Sequence, residues 1–247
     1  MNTKALGLSI VGLLSASSAL AQQGAWEYSA TFYLFMAETD TSISTPSRSV
    51  ETTLSFSDAL DNLDFAFMGV FEAHNGQWGG AIDVMHLDLS FGTDTPGPVF
   101  SRANTDLEMN VVTAVGFYRV YEDQQTAVDL GAGLRWTEVD TGINLVPAAG
   151  PGPGPSVSDS VDWVDPIIGG RVRHQFSERW GVTGLVDWGG FNSDSETYQF
   201  LLTADYAINE NWVVRGGYRY MSFENDDDGV NLDIDQSGPI LGITYRF

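Results

Sequence analysis

The sequence has no cysteine, one lysine (Lys4) and only three histidines among 247 residues. Without cysteine there is no disulfide framework, no cysteine zinc site and no thiol nucleophile. Basic residues number 11 against 33 acidic ones, a formal charge of −22. So few basic residues cannot lay down the cationic footprint that a phosphate backbone needs, which excludes nucleic acid as a partner. No run reaches the roughly 18 consecutive apolar residues of a helical membrane span. Aromatic residues, by contrast, make up 12% of the chain and glycines number 27. That much ring and β-branched surface argues against disorder.

Residues 1–21 read as an export signal. Lys4 gives the positive start, Ala5 to Leu14 a short apolar run, and Ala19 and Ala21 the small residues of a cleavage site. Residues 22–247 are then the mature domain.

The mature part alternates with period two, the signature of strands with one apolar and one polar face. Trp26, Tyr28, Ala30, Phe32, Leu34 and Met36 share one face. Leu107, Met109, Val111, Thr113, Val115 and Phe117 share another, with Asp106, Glu108 and Asn110 between them. Val128, Leu130, Ala132, Leu134 and Trp136 follow the same rule, as do Trp212, Val214, Gly216, Tyr218 and Tyr220. Helical spacing occurs in one place, Ser57 to Asn62, where Ser55 or Ser57 can cap a short helix. Val50, Thr52, Leu54 and Phe56 also alternate, so the same region can instead extend a neighbouring strand.

Short turn signals and longer polar stretches take turns along the chain. Asn75-Gly76 suits a type I′ hairpin, and Glu122–Gln125, Ser177–Arg179 and Asn209–Asn211 are the other short connections. Residues 38–62, 92–104, 143–162, 192–195 and 224–232 read as long loops, the third carrying a Pro/Gly run from Pro147 to Pro155. The expected strands are 25–37, 63–74, 77–91, 105–121, 126–140, 163–176, 180–191, 196–208, 212–223 and 233–247. Ten strands put both termini on the side of the short turns. Eight or twelve remain as alternatives if residues 38–62 or the strand over 196–208 are misread.

Trp and Tyr gather at strand ends, as they do at both interfaces of a membrane-spanning barrel. Opposite the apolar faces lie Glu72, Asp129, Arg135, Asp165, Arg171, Arg173, Asp187, Asp205, Arg215, Arg219 and Arg246. In a narrow barrel these charges would face the lumen and pair as an Arg–carboxylate ladder. Periodicity alone leaves the facing of residues 77–91 open. Asp83 is read as inward, near Glu72 or an arginine.

The mature chain resembles the small outer-membrane β-barrel proteins of Gram-negative bacteria. Its C-terminus, Gly242-Ile-Thr-Tyr245-Arg-Phe247, looks like the terminal signal read by the barrel-assembly machinery, although Ile240 stands where that pattern has a polar residue. The resemblance implies an all-β, antiparallel transmembrane barrel with periplasmic termini, located in the outer membrane. The implied partners are outer-membrane lipids and, during biogenesis, periplasmic chaperones and the assembly machinery.

Ten-stranded barrels include the omptin-type surface proteases, and that likeness implies an Asp pair and an Asp–His pair at the outer rim. The nearest candidates are Asp83, His86 and Asp88, but their spacing does not reproduce the pattern, and no enzymatic activity is expected. Glu224, Asp226, Asp228 and Asp235 have oxygen ligands at calcium-loop spacing with Gly229 for the bend. The plainer reading of this set is a solvated acidic loop, and no other cofactor is implied. The expected function is a filled barrel with a structural or surface-binding role. A narrow channel for small cationic or neutral solutes and a membrane-embedded hydrolase are the alternatives.

Overall fold

The computed structural model describes residues 25–46, 48–95, 99–149, 154–191, 194–227 and 229–247. The export signal over 1–21 and Asp228 lie outside them. Ten strands close into one antiparallel barrel: β1 (Glu27–Phe35), β4 (Leu63–His74), β5 (Trp78–Asp94), β6 (Phe100–Glu122), β7 (Thr126–Pro147), β8 (Ser156–Gln175), β9 (Trp180–Gly189), β10 (Ser195–Ala207), β11 (Trp212–Asp227) and β12 (Val230–Arg246). Neighbours in sequence are neighbours in space, and β1 pairs with β12 to close the ring from Ser29↔Arg246 to Phe35↔Ile240. Thr31 and Thr244 bridge that seam with hydroxyls 2.8 Å apart. Closure removes the open edge that a free sheet would present to lipid.

Two further strands correct the loop expected over 38–62. β2 (Glu38–Thr45) and β3 (Arg48–Leu54) form a hairpin that pairs with the upper part of β12, Glu38↔Ser237 through Ser44↔Asn231. Above Phe35, β12 thus exchanges β1 for β2 as its partner. The helix α1 (Phe56–Asp61) then leads into β4. Ser55 is its cap, its hydroxyl accepting the Asp58 N–H at 3.2 Å. The alternation over Val50–Leu54 and the helical spacing after it are both realised, one after the other.

Other expected loops also shrink. β6 starts at Phe100, β7 runs to Pro147 and β8 starts at Ser156, so most of 92–104 and 143–162 is strand. The four short turns, after β4, β6, β8 and β10, lie at the same end as both termini (the terminal end). The opposite end is the loop end. At the first short turn only Gly76 has positive φ, at 87°, so Asn75-Gly76 is not the type I′ pair, which needs positive φ at both. Instead Asn75 Oδ1 accepts the Trp78 N–H at 2.9 Å while the Asn75 N–H donates to the Trp78 carbonyl.

The facing of side chains changes along the longer strands, β5 to β8, β11 and β12. In the terminal half the outside is apolar: Leu130, Leu134, Ile168, Val186, Phe200, Leu202, Leu241 and Ile243 are all exposed. Rings bound this band. Trp78 and Tyr118, Trp180 and Tyr206, and Trp212 and Tyr245 each sit with centroids 4.8 Å apart near the terminal end. Trp188–Phe191 and Tyr198–Tyr220 lie near the other boundary. In the loop half the pattern inverts. Phe35, Met68, Met85, Met109, Trp163, Met221, Phe223 and Ile234 pack inside as one apolar cluster. The outside there carries Asp88, Glu108 and Asp140, neighbours in register across β5, β6 and β7.

This inversion sets the facing of residues 107–117. The face of Leu107, Met109 and Val111 points inward, with Val111 only 3% exposed, and Asp106 and Glu108 point out. Strands of 16 to 23 residues in β5 to β8 and β11 are longer than the ~9–11 residues a crossing needs, so their outer parts stand beyond the bilayer.

Candidate functional site: the barrel lumen

Two layers fill the lumen below the apolar cluster. In the first, Arg219 is the hub. Its Nη2 donates to Asp83 Oδ2 at 2.9 Å and to Gln199 Oε1 at 2.6 Å, and its Nη1 donates to the Tyr33 hydroxyl at 2.8 Å. Tyr33 in turn donates to Asp83 Oδ1 at 2.7 Å. The guanidinium also lies 5.7 Å from the Phe35 ring centroid, under the apolar cluster. Arg135, fully buried, donates to Asp187 at 2.8 Å and to the Thr197 hydroxyl at 2.8 Å. Each guanidinium nitrogen of these two groups donates to an acceptor, which is what makes a buried guanidinium tolerable.

The second layer lies nearer the terminal end. Arg171 binds Glu72 with both terminal nitrogens, at 2.5 and 3.0 Å, and Asp129 at 2.9 Å. Arg119 Nε donates to the other Asp129 oxygen at 2.8 Å. Arg173 stands 3.4 Å from both carboxylates. These contacts tie β4, β6, β7 and β8 together across the lumen.

The structure thus places Asp83 against an arginine, as one of the two partners the sequence suggested. It does not join every member of the expected ladder. Asp165 is the register neighbour of Arg135, yet it accepts from Trp163 Nε1 at 3.0 Å and from the Ser195 hydroxyl at 2.5 Å. Asp205 accepts from Thr183 and Thr203 at 2.6 and 2.8 Å, leaving Arg215 Nε at 3.9 Å. Arg246 makes no hydrogen bond or ion pair through its guanidinium among the described residues. Sequence reasoning missed Arg119 and Tyr33. Tyr33 stood on the polar face of β1 between Thr31 and Phe35. Arg119 stood two residues past Phe117 on the inward face, before a register shift between Arg119 and Tyr121.

Among the described residues, two connected cavities of the lumen lie on the terminal side of the apolar cluster. A cavity of about 180 Å³, lined among others by Tyr33, Val115, Ile167, Asp187 and Arg219, lies below the apolar cluster. It shares Ser29, Glu72 and Arg215 with a mouth of about 540 Å³ at the terminal end.

Outside the lumen, the remaining candidates do not converge. Asp83 faces inward, whereas His86 faces out, with Nδ1 2.7 Å from Asn110 Oδ1 and 3.7 Å from Glu108. The expected loop over 224–232 is a tight hairpin, because β11 runs to Asp227 and β12 resumes at Val230. Glu224 stands opposite Asp233, and Asp235 accepts the Tyr220 hydroxyl at 2.7 Å. Burial and then the opposing Asp233 raise the pKa of Glu224, and burial with the nearby Asp235 raises that of Asp233. No group of three or more metal-ligating side chains comes together among the described residues. At the C-terminus, Tyr245 and Phe247 point outward with rings 5.1 Å apart, and Gly242 stands opposite both Tyr33 and Arg215.

This closed ten-strand ring, apolar outside and ion-paired within, has known counterparts. The fold is that of an outer-membrane β-barrel protein. One similar structure is the outer membrane protease OmpT from Escherichia coli, with a TM-score of 0.60, 12% identity, and coverage of 93% of this chain and 99% of that one. Others are Ail, the attachment invasion locus protein of Yersinia pestis (TM-score 0.37, 12% identity, 91% and 99% covered), and the translocator domain of the autotransporter NalP from Neisseria meningitidis (0.39, 13%, 92% and 91%). The likeness to OmpT is one of fold alone. No protein-family model and no curated relative matches the chain.

Proposed function

We propose that this outer-membrane barrel is a closed membrane anchor for an acidic surface platform at its loop end, with a structural or binding role. The observation that carries the reading is the apolar cluster from Phe35 to Ile234, which fills the loop half of the lumen above the Arg219–Asp83 layer. Water and ions have no continuous polar path through such a cluster. The short turns and both termini sit together, which in barrels of this kind is the periplasmic end. Residues 1–21 serve as a cleaved export signal, and Gly242, Tyr245 and Phe247 serve as the assembly signal. Periplasmic chaperones, the assembly machinery and outer-membrane lipids are the partners this entails. The reading assigns no cofactor and no hydrolytic role, since Asp83 and His86 lie on opposite faces of β5.

The polar cavity below the cluster favours a second reading, a narrow channel that conducts when the cluster moves. Planar-bilayer recording separates the two. Folded wild-type protein should give no resolvable steps, and a variant with Met109→Ala and Met221→Ala should give small ones. Sustained steps from the wild type would overturn the closed-barrel reading.

A further inference from the structure

We infer that the terminal mouth of the lumen holds a soluble oxyanion of the phosphate class between Arg215 and Arg246. In a chain with a formal charge of −22, arginines are scarce, and most of those in the lumen are committed to carboxylates. Arg215 and Arg246 are the exceptions. They project from the adjacent strands β11 and β12 into the same mouth, with Arg215 opposite Gly242, a residue without a side chain. Arg215 Nε is inaccessible to solvent and meets no acceptor. The nearest carboxylate, Asp205, accepts one threonine hydroxyl on each oxygen and stays 3.9 Å away. Glu72, the other lumen acid in this mouth, is taken by Arg171 and Arg173. Glu27, Glu122, Asp123 and Glu210 belong to the exposed rim, where Arg246 also lies.

Arg215 and Arg246 repel each other across the mouth, and the nearby Asp205, Glu72 and Glu27 offset that repulsion without a hydrogen bond to either guanidinium among the described residues. A tetrahedral oxyanion, with several acceptor oxygens, satisfies both at once and suits the planar fork of each. The backbone of Arg246 is pinned for this. Its N–H donates to the Asn211 carbonyl at 2.8 Å, and its carbonyl accepts from Asn211 Nδ2 at 2.9 Å. The mouth, of about 540 Å³, admits inorganic phosphate or a small phosphate monoester from the terminal end. The apolar cluster bars entry from the other. This inference does not depend on the surface-platform reading, because it concerns the opposite end of the lumen.

The test is a calorimetric titration of the full mature barrel in detergent with inorganic phosphate, at constant ionic strength in a chloride background. Folding of each variant is checked by its heat-modifiable gel mobility. Saturable binding is expected, weakened at least tenfold by Arg246→Gln and by Arg215→Gln, weakened less by Arg246→Lys than by Arg246→Gln, and unchanged by Arg102→Gln at the loop end. Arg246 lies at the last turn of the lumen, so its variant remains informative even if Arg215→Gln fails to fold. Phosphatidylglycerol added to the micelles should not compete, because headgroups do not reach the lumen. A flat titration of folded wild type, equal binding by Arg246→Gln, or competition by the lipid would overturn the inference.

Discussion

The terminal and loop halves of this barrel use the same strands to solve opposite problems. In the terminal half the outside is lipid, so apolar residues point out and charges pair inside. In the loop half the outside is water, so Met and Phe point in and carboxylates point out. β7 makes the change within one strand. Its outward positions read Val128, Leu130, Ala132, Leu134, Trp136 and then Glu138 and Asp140, while its inward positions pass from Asp129 and Arg135 to Thr137 and Val139. The residue spacing never changes; the solvent does. Trp136, at the switch, is the residue type favoured at a membrane interface.

The comparison can be broken most severely inside. Arg219→Met leaves Asp83 without its cation in the polar layer, which should cost about 3–5 kcal/mol, the usual penalty for orphaning a buried charge. Adding Asp83→Asn should recover part of that loss, and urea unfolding in micelles reads both. A full additive loss in the double variant would mean that the two residues do not act as a pair. Next in size is a charge placed on the outside. Leu130→Arg puts a guanidinium in the lipid band and should cost roughly 2–4 kcal/mol. Glu138→Arg, eight residues along the same face, should fall within about 0.5 kcal/mol of wild type, since it meets water and acidic neighbours. Equal penalties would erase the boundary between the halves.

The smallest effect concerns pH in the loop half. Glu224 and Asp233 oppose each other, and their raised pKa values mean that the folded state holds protons more tightly than the unfolded one. Their destabilisation is therefore absent below the ordinary carboxylate pKa, grows as pH rises toward the raised values, and is complete above them. Asp233→Asn should stabilise by about 0.2–1 kcal/mol at pH 7, the size of a cross-strand like-charge term, and by less at pH 4. A variant less stable than wild type at pH 7 would contradict the repulsion.

Much of this architecture was legible in the sequence because a strand's period is local. The alternation in Val128–Trp136 and Trp212–Tyr220, and the turn residues between strands, fix ten crossings without knowledge of their neighbours. The periodicity could not say which face of a strand meets lipid, because that depends on height in the membrane. Residues 107–117 show the consequence: their apolar face lies inside, under a water-facing row of acids. The β2–β3 hairpin was obscured by short, Ser/Thr-rich strands that lack a strong apolar face. Pairing within the lumen is less legible still. Arg135 reaches Asp187 on β9 rather than its register neighbour Asp165, because contacts across a lumen follow side-chain length and the position of hydroxyl competitors. Arg119 belongs to the lumen through a tight contact with Asp129, which no spacing rule encodes.

The inversion of facing is tested most directly by paired single-cysteine labels on β7, since the chain has no native cysteine. Spin labels at Leu130→Cys and Asp140→Cys, both outward, are placed in the folded barrel in lipid vesicles. Their collision rates with oxygen and with a water-soluble nickel complex are then compared. The account predicts oxygen-dominated relaxation at position 130 and nickel-dominated relaxation at position 140. A lipid-like signal at both positions, or a buried signal at position 140, would contradict it.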